Sequence, residues 1–442
     1  MTNAKLKVTV VWPFWGDYAA TRVRFVLESL TELAAEIEQC GSHLALGHGS
    51  AVETVVRAAK MARADAVYWN DEYEPQLMRR DDAVERALRS AGVAVRRFHD
   101  RLLVPPGAVT TKQGGPFVVY TPFRRACEAL PLSGPLPRVT RLAPHDLPKI
   151  ALASPDTLGF STTQTPWTGG AKAAMKRLRR FLSHGLVRYE NGRDRPADQA
   201  TARLSADLKF GTLSPRTVSS AVLGAAREDT RALRSADKFI SELRWRDFYA
   251  KVLFHHPHVE SGAFRRNYDH IRWEGEPEHF PAWQAGQTGY PLVDVGMGEL
   301  STTGFMHDRV RMVVASFLTK DLLLDWRLGE RHFMQQLVDG DLASNNGGWQ
   351  WAASTGTDAQ PFFRIFNPTL QGKRFDPDGA YIHRWLPELS KLPARWVHRP
   401  WEAPEKVLRD AGVALGVTYP SPIVEHLLQR ERAVAMYRNA SA

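Results

Sequence analysis

Cysteine is scarce in this chain of 442 residues: only Cys40 and Cys127 occur, far apart and outside any CxxC or Cys/His cluster. A disulfide framework and a structural zinc site are therefore not expected, and the reading is of a reduced, cytoplasmic protein without a metal. Long apolar runs are missing too. A membrane helix needs about 18 such residues, and the best stretch, Val310 to Leu324, is interrupted by Arg311, Lys320 and Asp321. The N-terminus has no signal-peptide pattern, running directly from polar residues into Lys7–Trp12, KVTVVW. No internal repeat or low-complexity tract is present. Nor is there an acidic excess: the formal net charge is +10, which favours polyanionic partners because neutralised phosphates release counterions. A basic solvated surface gives the same figure, so charge alone does not separate the two.

Tryptophan, by contrast, is abundant. Thirteen residues have to be placed in core, cofactor contacts or base stacking. Short β-like runs alternate with helical patterns over the first hundred positions. Lys7–Trp12, His43–Leu46, Ala66–Tyr68 and Val93–Phe98 read as strands, and Arg22–Gln39, Val52–Ala64 and Gln76–Ser90 as helices. This is the βαβ rhythm of an open parallel sheet. Prolines recur from Pro105 to Gly170 and predict an irregular surface linker. Beyond Ala171 the periodicity is helical. Ser214–Pro215 forms an N-cap with proline at the first helical position, a long helix opens at Ser235 and runs through Phe254, and another covers Asp308–Trp326. The expected organisation is an α/β domain over 1–105, a linker over 106–170 and an all-helical domain over 171–442.

Chemistry concentrates in Asp339–Pro368, DGDLASNNGGWQWAASTGTDAQPFFRIFNP. Two carboxylates, paired asparagines, Gly-Gly and two tryptophans around one glutamine suit a planar heteroaromatic ligand. Glycine lets backbone approach it, and amides offer both donor and acceptor. An ordinary helix-connecting loop with caps would not need those tryptophans.

This stretch resembles the flavin-binding signature of the cryptochrome/photolyase superfamily. So do YENGRDRPADQATARLSADLKFGTLS (189–214), ELRWRDFY (242–249) and TGFMHDRVRMVVASFLTKDLLLDWRLGER (303–331). The resemblance runs from Val8 to about Tyr437 and is closest to class I DNA photolyases acting on cyclobutane pyrimidine dimers. It implies an α/β domain joined to an all-α FAD domain, and FAD as cofactor, reduced in the active form. By the same resemblance Tyr189, Thr201, Ala202, Arg203, Leu204 and Ser205 bind cofactor, most of them at its phosphates, with Ala202 standing where serine is usual. Arg311 and Asp339 form a salt bridge beside the flavin in the same stretch as Gly340. Asp341 faces the ring's pyrimidine edge and Asn345 lies opposite N5. Trp349, Trp326 and Trp273 match an electron relay to the surface. Glu242 matches the carboxylate that supports the dimer, Trp245, Trp351 and Met312 its apolar walls, and Arg193, Arg246, Arg309 and Gln371 the DNA-contacting rim.

Three further departures from the family pattern stand out. Asp308 replaces the usual asparagine of MHNR, and Phe305 replaces a frequent tryptophan. The usual first strand and helix, with their WFRRDLR-like tract, are missing, so the sheet is expected to lack them. An antenna chromophore, methenyltetrahydrofolate or a deazaflavin, is then carried only by WNDEYEPQLMRR (69–80). The expected activity is light-driven dimer repair by a monomer acting on DNA, with no membrane partner. The alternative is a cryptochrome-like blue-light sensor that binds FAD without repair, favoured by Asp308 and opposed by Asn345. A (6-4) photolyase would need a histidine pair beside the lesion, but His307 stands with Met306 and Asp308, and a repair-dead DNA-binding flavoprotein is a weaker option.

Overall fold

The computed structural model describes residues 19–47, 49–160 and 165–441. The expected strand Lys7–Trp12 and the question of a missing first strand lie outside them. The chain forms two compact units, Met1–Ser183 with Ala202–Pro257, and His184–Thr201 with His258–Ala442.

In the first unit, helices α1 (Ala20–Gln39) and α2 (Ala51–Met61) precede strand β1 (Ala66–Asn70), helix α3 (Pro75–Ser90) and strand β2 (Ala94–Phe98). The strands are parallel, pairing Ala66 with Ala94 through Asn70 with Phe98. Val55 and Ala59 of α2 and Val84 and Leu88 of α3 pack on Val67 and Val95 in a small α/β core. His43–Leu46 is not a strand, contrary to the sequence reading. It has no ladder partner among the described residues, and His43 instead bonds the carbonyl of Leu147 through Nε2 at 2.7 Å.

The proline-rich stretch also differs from a bare linker. It contains helix α4 (Tyr120–Glu128), whose Tyr120, Phe123 and Cys127 are buried. Helix α5 (Ala171–Arg180) docks on α1. Glu28 and Ser29 side chains accept from the N–H groups of Gly169 and Gly170, both at 2.9 Å. A Cβ on Gly169 would lie 2.1 Å from the Phe25 carbonyl oxygen, so only glycine permits this approach. Helices α6 (Ser205–Phe210), α7 (Pro215–Glu228) and α8 (Leu233–His255) complete the unit. Ser214 caps α7 by accepting from the Arg216 N–H at 3.2 Å, as its Ser-Pro signature predicts.

The second unit is helical throughout its described residues. Its main helices are α9 (Pro291–Thr303), α10 (Asp308–Lys320), α11 (Trp326–Gln336), α12 (Leu342–Ala352), α13 (Pro368–Phe375) and α14 (His426–Ser441). Their core gathers Trp283, Val310, Val314, Phe317, Trp326 and Trp349. The expected continuous helix Asp308–Trp326 is interrupted. Leu323 takes a left-handed φ of 55°, and Asp325 restarts the chain by accepting from the Arg327 N–H at 2.9 Å. Leu322, Leu323 and Leu324 are all buried across this break.

Candidate functional site

On α8, residues 242, 245, 246 and 249 recur at helical spacing and stay partly open, while their neighbours Ser241, Leu243, Arg244, Asp247 and Phe248 are buried. Glu242 lies on this open face with Lys238 Nζ 3.6 Å from its carboxylate. Trp245 is held flat against Tyr120 of α4, with ring centroids 3.6 Å apart and planes 9° apart. Tyr120 is itself fixed, donating from its hydroxyl to the Ser241 carbonyl at 2.5 Å. The Trp245 face is thereby a rigid aromatic wall. Arg246 donates to the backbone carbonyls of Arg101 and Leu208. Next to it, Asp247 accepts from the N–H groups of Leu103 and Val104. Burial pushes that carboxyl up to about 7, against the opposing charge of Arg246 and the two backbone hydrogen bonds.

Ahead of α6, Arg203 has a left-handed φ of 50°. Leu204 follows at φ −102°, ψ 7°. Such a sequence of conformations can turn successive N–H groups to one side, the backbone arrangement that receives anions.

In the second unit, α10 and the loop before α12 meet in an ion pair. Arg311 Nη2 lies 2.9 Å and 3.1 Å from the two Asp339 oxygens, and its Nε donates to the Met306 carbonyl at 2.7 Å. The Asp339 side chain is 3% exposed, so its charge depends on that partner. Asp341 caps α12, accepting from the Ser344 N–H at 3.0 Å. Asn345 donates from Nδ2 to the Glu330 carbonyl at 2.9 Å, so its amide oxygen is the end left to accept. The Glu330 carboxyl is pushed up to about 7 by burial, although Asn345 and Arg331 pull it down. Its Oε1 is buried without a hydrogen-bond partner.

The tryptophans grade outward. Trp349 and Trp326 are 2% and 1% exposed, and Trp273 is partly exposed and packed against the same core. Trp349 is wedged between Phe333 and Trp283, at centroid distances of 5.0 Å and 6.1 Å. Its indole N–H is buried with no partner among the described residues.

Comparison with known proteins supplies the frame for this geometry. Residues 3–143 match the DNA photolyase family and residues 239–439 the FAD binding domain of DNA photolyase. A deoxyribodipyrimidine photo-lyase of Agrobacterium fabrum is 44% identical over 433 residues, covering 96% of this chain and 89% of that protein. The crystal structure of a bacterial class III photolyase from Agrobacterium tumefaciens superimposes with a TM-score of 0.90 at 41% identity, covering 96% of this chain and 89% of that one. A Synechocystis cryptochrome superimposes with a TM-score of 0.88 at 29% identity, covering 95% and 89%. The chain belongs to the DNA photolyase family. It is a light-dependent carbon–carbon lyase of that family, and FAD is its cofactor.

As a photolyase, the chain offers features that fit the flavin. The unpartnered indole N–H of Trp349, the aimed amide oxygen of Asn345 and the paired Arg311–Asp339 charges all belong to the second unit. Thr201 lies in the second unit and Ala202 to Ser205 in the first. Tyr189 is buried, with the Arg193 guanidinium over its ring at 5.9 Å. Arg311, Met312 and Trp351 are partly buried and Asp308 is exposed at the start of α10. Gly340 is buried between Asp339 and Asp341.

The paired asparagines and the glutamine divide their labour. Only Asn345 keeps an acceptor on offer. Asn346 donates to the Val259 carbonyl at 2.9 Å. Gln350 bonds Phe264 N–H at 2.8 Å and the Gly262 carbonyl at 3.0 Å. These two clamp the 259–264 segment rather than a ligand, and the stretch 342–352 that carries them is a helix, not a loop. Sequence reasoning missed Tyr120, which sits in a proline-rich tract with no periodic signal. It also missed Glu330, whose role depends on the fold alone.

Proposed function

We propose that this photolyase repairs cyclobutane pyrimidine dimers in DNA. Bound FAD, reduced and excited by blue light, supplies the electron that opens the dimer's cyclobutane ring and takes it back afterwards. The residues supply binding and positioning. The observation that carries the reading is the orientation of Asn345. Because Nδ2 is committed to the Glu330 carbonyl, the side chain presents an acceptor, which matches a ring nitrogen bearing a proton, as N5 does in the reduced flavin. A carboxylate there would set two acceptors against one another, so an amide suits this position.

Arg311 and Asp339 hold paired charge beside the ring, and Asp341 is the carboxylate for its pyrimidine edge. Thr201 to Ser205 receive the phosphates through backbone N–H groups. That role survives alanine at position 202, since a backbone donor needs no side-chain hydroxyl. Trp349, Trp326 and Trp273 carry electrons inward when the flavin is oxidised, consistent with two buried rings and one partly exposed ring. For the substrate, Trp245 is the wall against which an extruded base stacks. Stacking is worth roughly 1–3 kcal/mol per base, and a wall already fixed by Tyr120 loses little entropy on binding. Glu242 faces the dimer, Met312 and Trp351 supply apolar contact, and Arg193, Arg309 and Gln371 the DNA rim. Arg246 shapes that face through its backbone bonds.

The test is a repair assay. Dimer-containing oligothymidine is illuminated with blue light beside photoreduced protein, and recovery of thymine absorbance is followed. Light-dependent recovery, lost in Glu242→Ala, is expected. Failure to recover despite bound FAD and measurable DNA affinity would sink the reading and favour a sensor role, like that of a cryptochrome.

A further inference from the structure

Arg309 is a rim arginine held between an aromatic ring and a carboxylate within the second unit. Its guanidinium lies over the Phe375 ring, 4.5 Å from the centroid. Its Nη2 donates to Asp194 Oδ1 at 2.8 Å, and its buried Nε has no hydrogen-bond partner among the described residues. Asp194 also faces Arg193, whose Nε is 3.7 Å from the same oxygen. Arg374 lies over Phe375 as well, at 5.1 Å. One turn earlier on α13, the amide oxygen of Gln371 is buried without a partner among the described residues. A carboxylate therefore sits between two arginines on a surface whose proposed ligand is a polyanion. Burial opposes its ionisation, but the hydrogen bond and charge of Arg309 and the charge of Arg193 outweigh burial and keep the carboxyl below its usual value.

An acid placed there works against non-specific DNA binding, because it cancels cationic charge that would otherwise displace counterions. It also fixes direction. With Nη2 tied to Asp194 and the planar face covered by Phe375, the remaining donors of Arg309 can address a phosphate from one side only. An unrestrained arginine would follow a phosphate wherever the backbone placed it.

We propose that Asp194 is a specificity-determining positioning residue: with Phe375 it holds Arg309 in one orientation and lowers affinity for undamaged DNA, so that binding favours the lesion. This rests on the dimer-repair reading above. The phosphate contact fixes register and carries no sequence information of its own, so the discrimination acts on backbone shape, which a dimer alters.

The experiment compares the FAD-loaded full chain with Asp194→Asn, Asp194→Glu and Phe375→Leu. Anisotropy titrations use a dimer-containing duplex and the same duplex undamaged, over a range of salt. FAD content and thermal unfolding confirm that each variant folds. In Asp194→Asn, affinity for undamaged DNA should rise several-fold at low salt, and the slope of log affinity against log salt should steepen by about one. Affinity for the dimer should not rise, so the damaged-to-undamaged preference falls by at least that several-fold factor. Asp194→Glu should restore much of it. Phe375→Leu keeps every charge, so preference should fall with the salt slope unchanged. If Asp194→Asn leaves both preference and slope as in the wild type, or shifts both affinities by one factor, the role assigned to Asp194 is wrong. A wild type with no preference for the dimer would instead refute the repair reading, and the salt slope on undamaged DNA would still report on Asp194.

Discussion

Gly329 allows a signed test of how the core holds Trp349. It lies inside α11, where replacing glycine by alanine ordinarily gains roughly 0.5–1 kcal/mol through backbone entropy. Here the added Cβ would sit 2.1 Å from Trp349 Cη2 and 2.6 Å from Leu318 Cδ2. Neither neighbour can retreat cheaply: Trp349 is pressed by Phe333 and Trp283, and Leu318 is 0% exposed. Overpacking of that kind costs roughly 1–3 kcal/mol. Overpacking should win, giving a net loss of about 1–2 kcal/mol for Gly329→Ala. Gly298→Ala is the control. It is also helical, and its Cβ would meet only the Trp385 carbonyl oxygen at 3.5 Å, an ordinary contact. That variant should hold its stability or gain a few tenths of a kcal/mol. Urea unfolding of the FAD-loaded chain reads both. Trp349→Phe in the Gly329→Ala background should recover part of the loss, giving a coupling of about 1 kcal/mol in the double-mutant cycle. If Gly329→Ala stabilises as much as Gly298→Ala, the packing argument fails.

Three other outcomes are expected. Asp339→Asn leaves Arg311 without its carboxylate partner and should cost roughly 3 kcal/mol in urea unfolding, whereas an exposed pair such as Lys406–Asp410 should cost almost nothing when broken. The Glu330 carboxyl, raised to about 7, titrates higher in the fold than in the unfolded chain. Its contribution is therefore fully present below about 4.5 and is lost as pH rises through 7, a change on the order of 3 kcal/mol. Glu330→Gln should flatten the stability profile over that window, and an unchanged profile would assign the titration elsewhere. Trp273→Phe should slow light-driven reduction of oxidised FAD by an order of magnitude or more. Repair by chemically reduced protein should stay intact, because in the proposed reaction the dimer's electron comes from the flavin and not from the tryptophan chain.

Much of this was legible in the sequence for stated physical reasons. The helices of the first hundred residues, the parallel pair of strands and the Ser214 cap followed from periodicity and capping chemistry, which are local. The division of Asp308–Trp326 was not legible. Periodicity continues across Leu322–Leu324, and the left-handed turn at Leu323 has no local signal in the sequence. Helix α4 was hidden by the prolines on either side of it, although Tyr120, Phe123 and Cys127 do follow a helical spacing. His43–Leu46 has β-like residues, but a strand is defined by its neighbour, which no single segment encodes.

The candidate site divides along the same line. Motif resemblance points to Asn345, but it does not show what sets that residue apart from its neighbour. In SNNGGWQW the two asparagines look equivalent, and each offers the same donor and acceptor. The fold separates them by what lies behind each. Asn346 and Gln350 turn to the 259–264 backbone and spend their polar atoms there. Asn345 gives only its donor to Glu330. Which asparagine keeps an acceptor to offer is thus decided by the Glu330 carbonyl, fifteen positions away in the chain. The same holds on the first unit, where a tyrosine from the proline-rich tract turns Trp245 from one surface tryptophan among thirteen into a fixed stacking wall. In both cases a residue outside the motif does the selecting. Substitution at Tyr120 or Glu330 should therefore alter function while every motif residue remains in place.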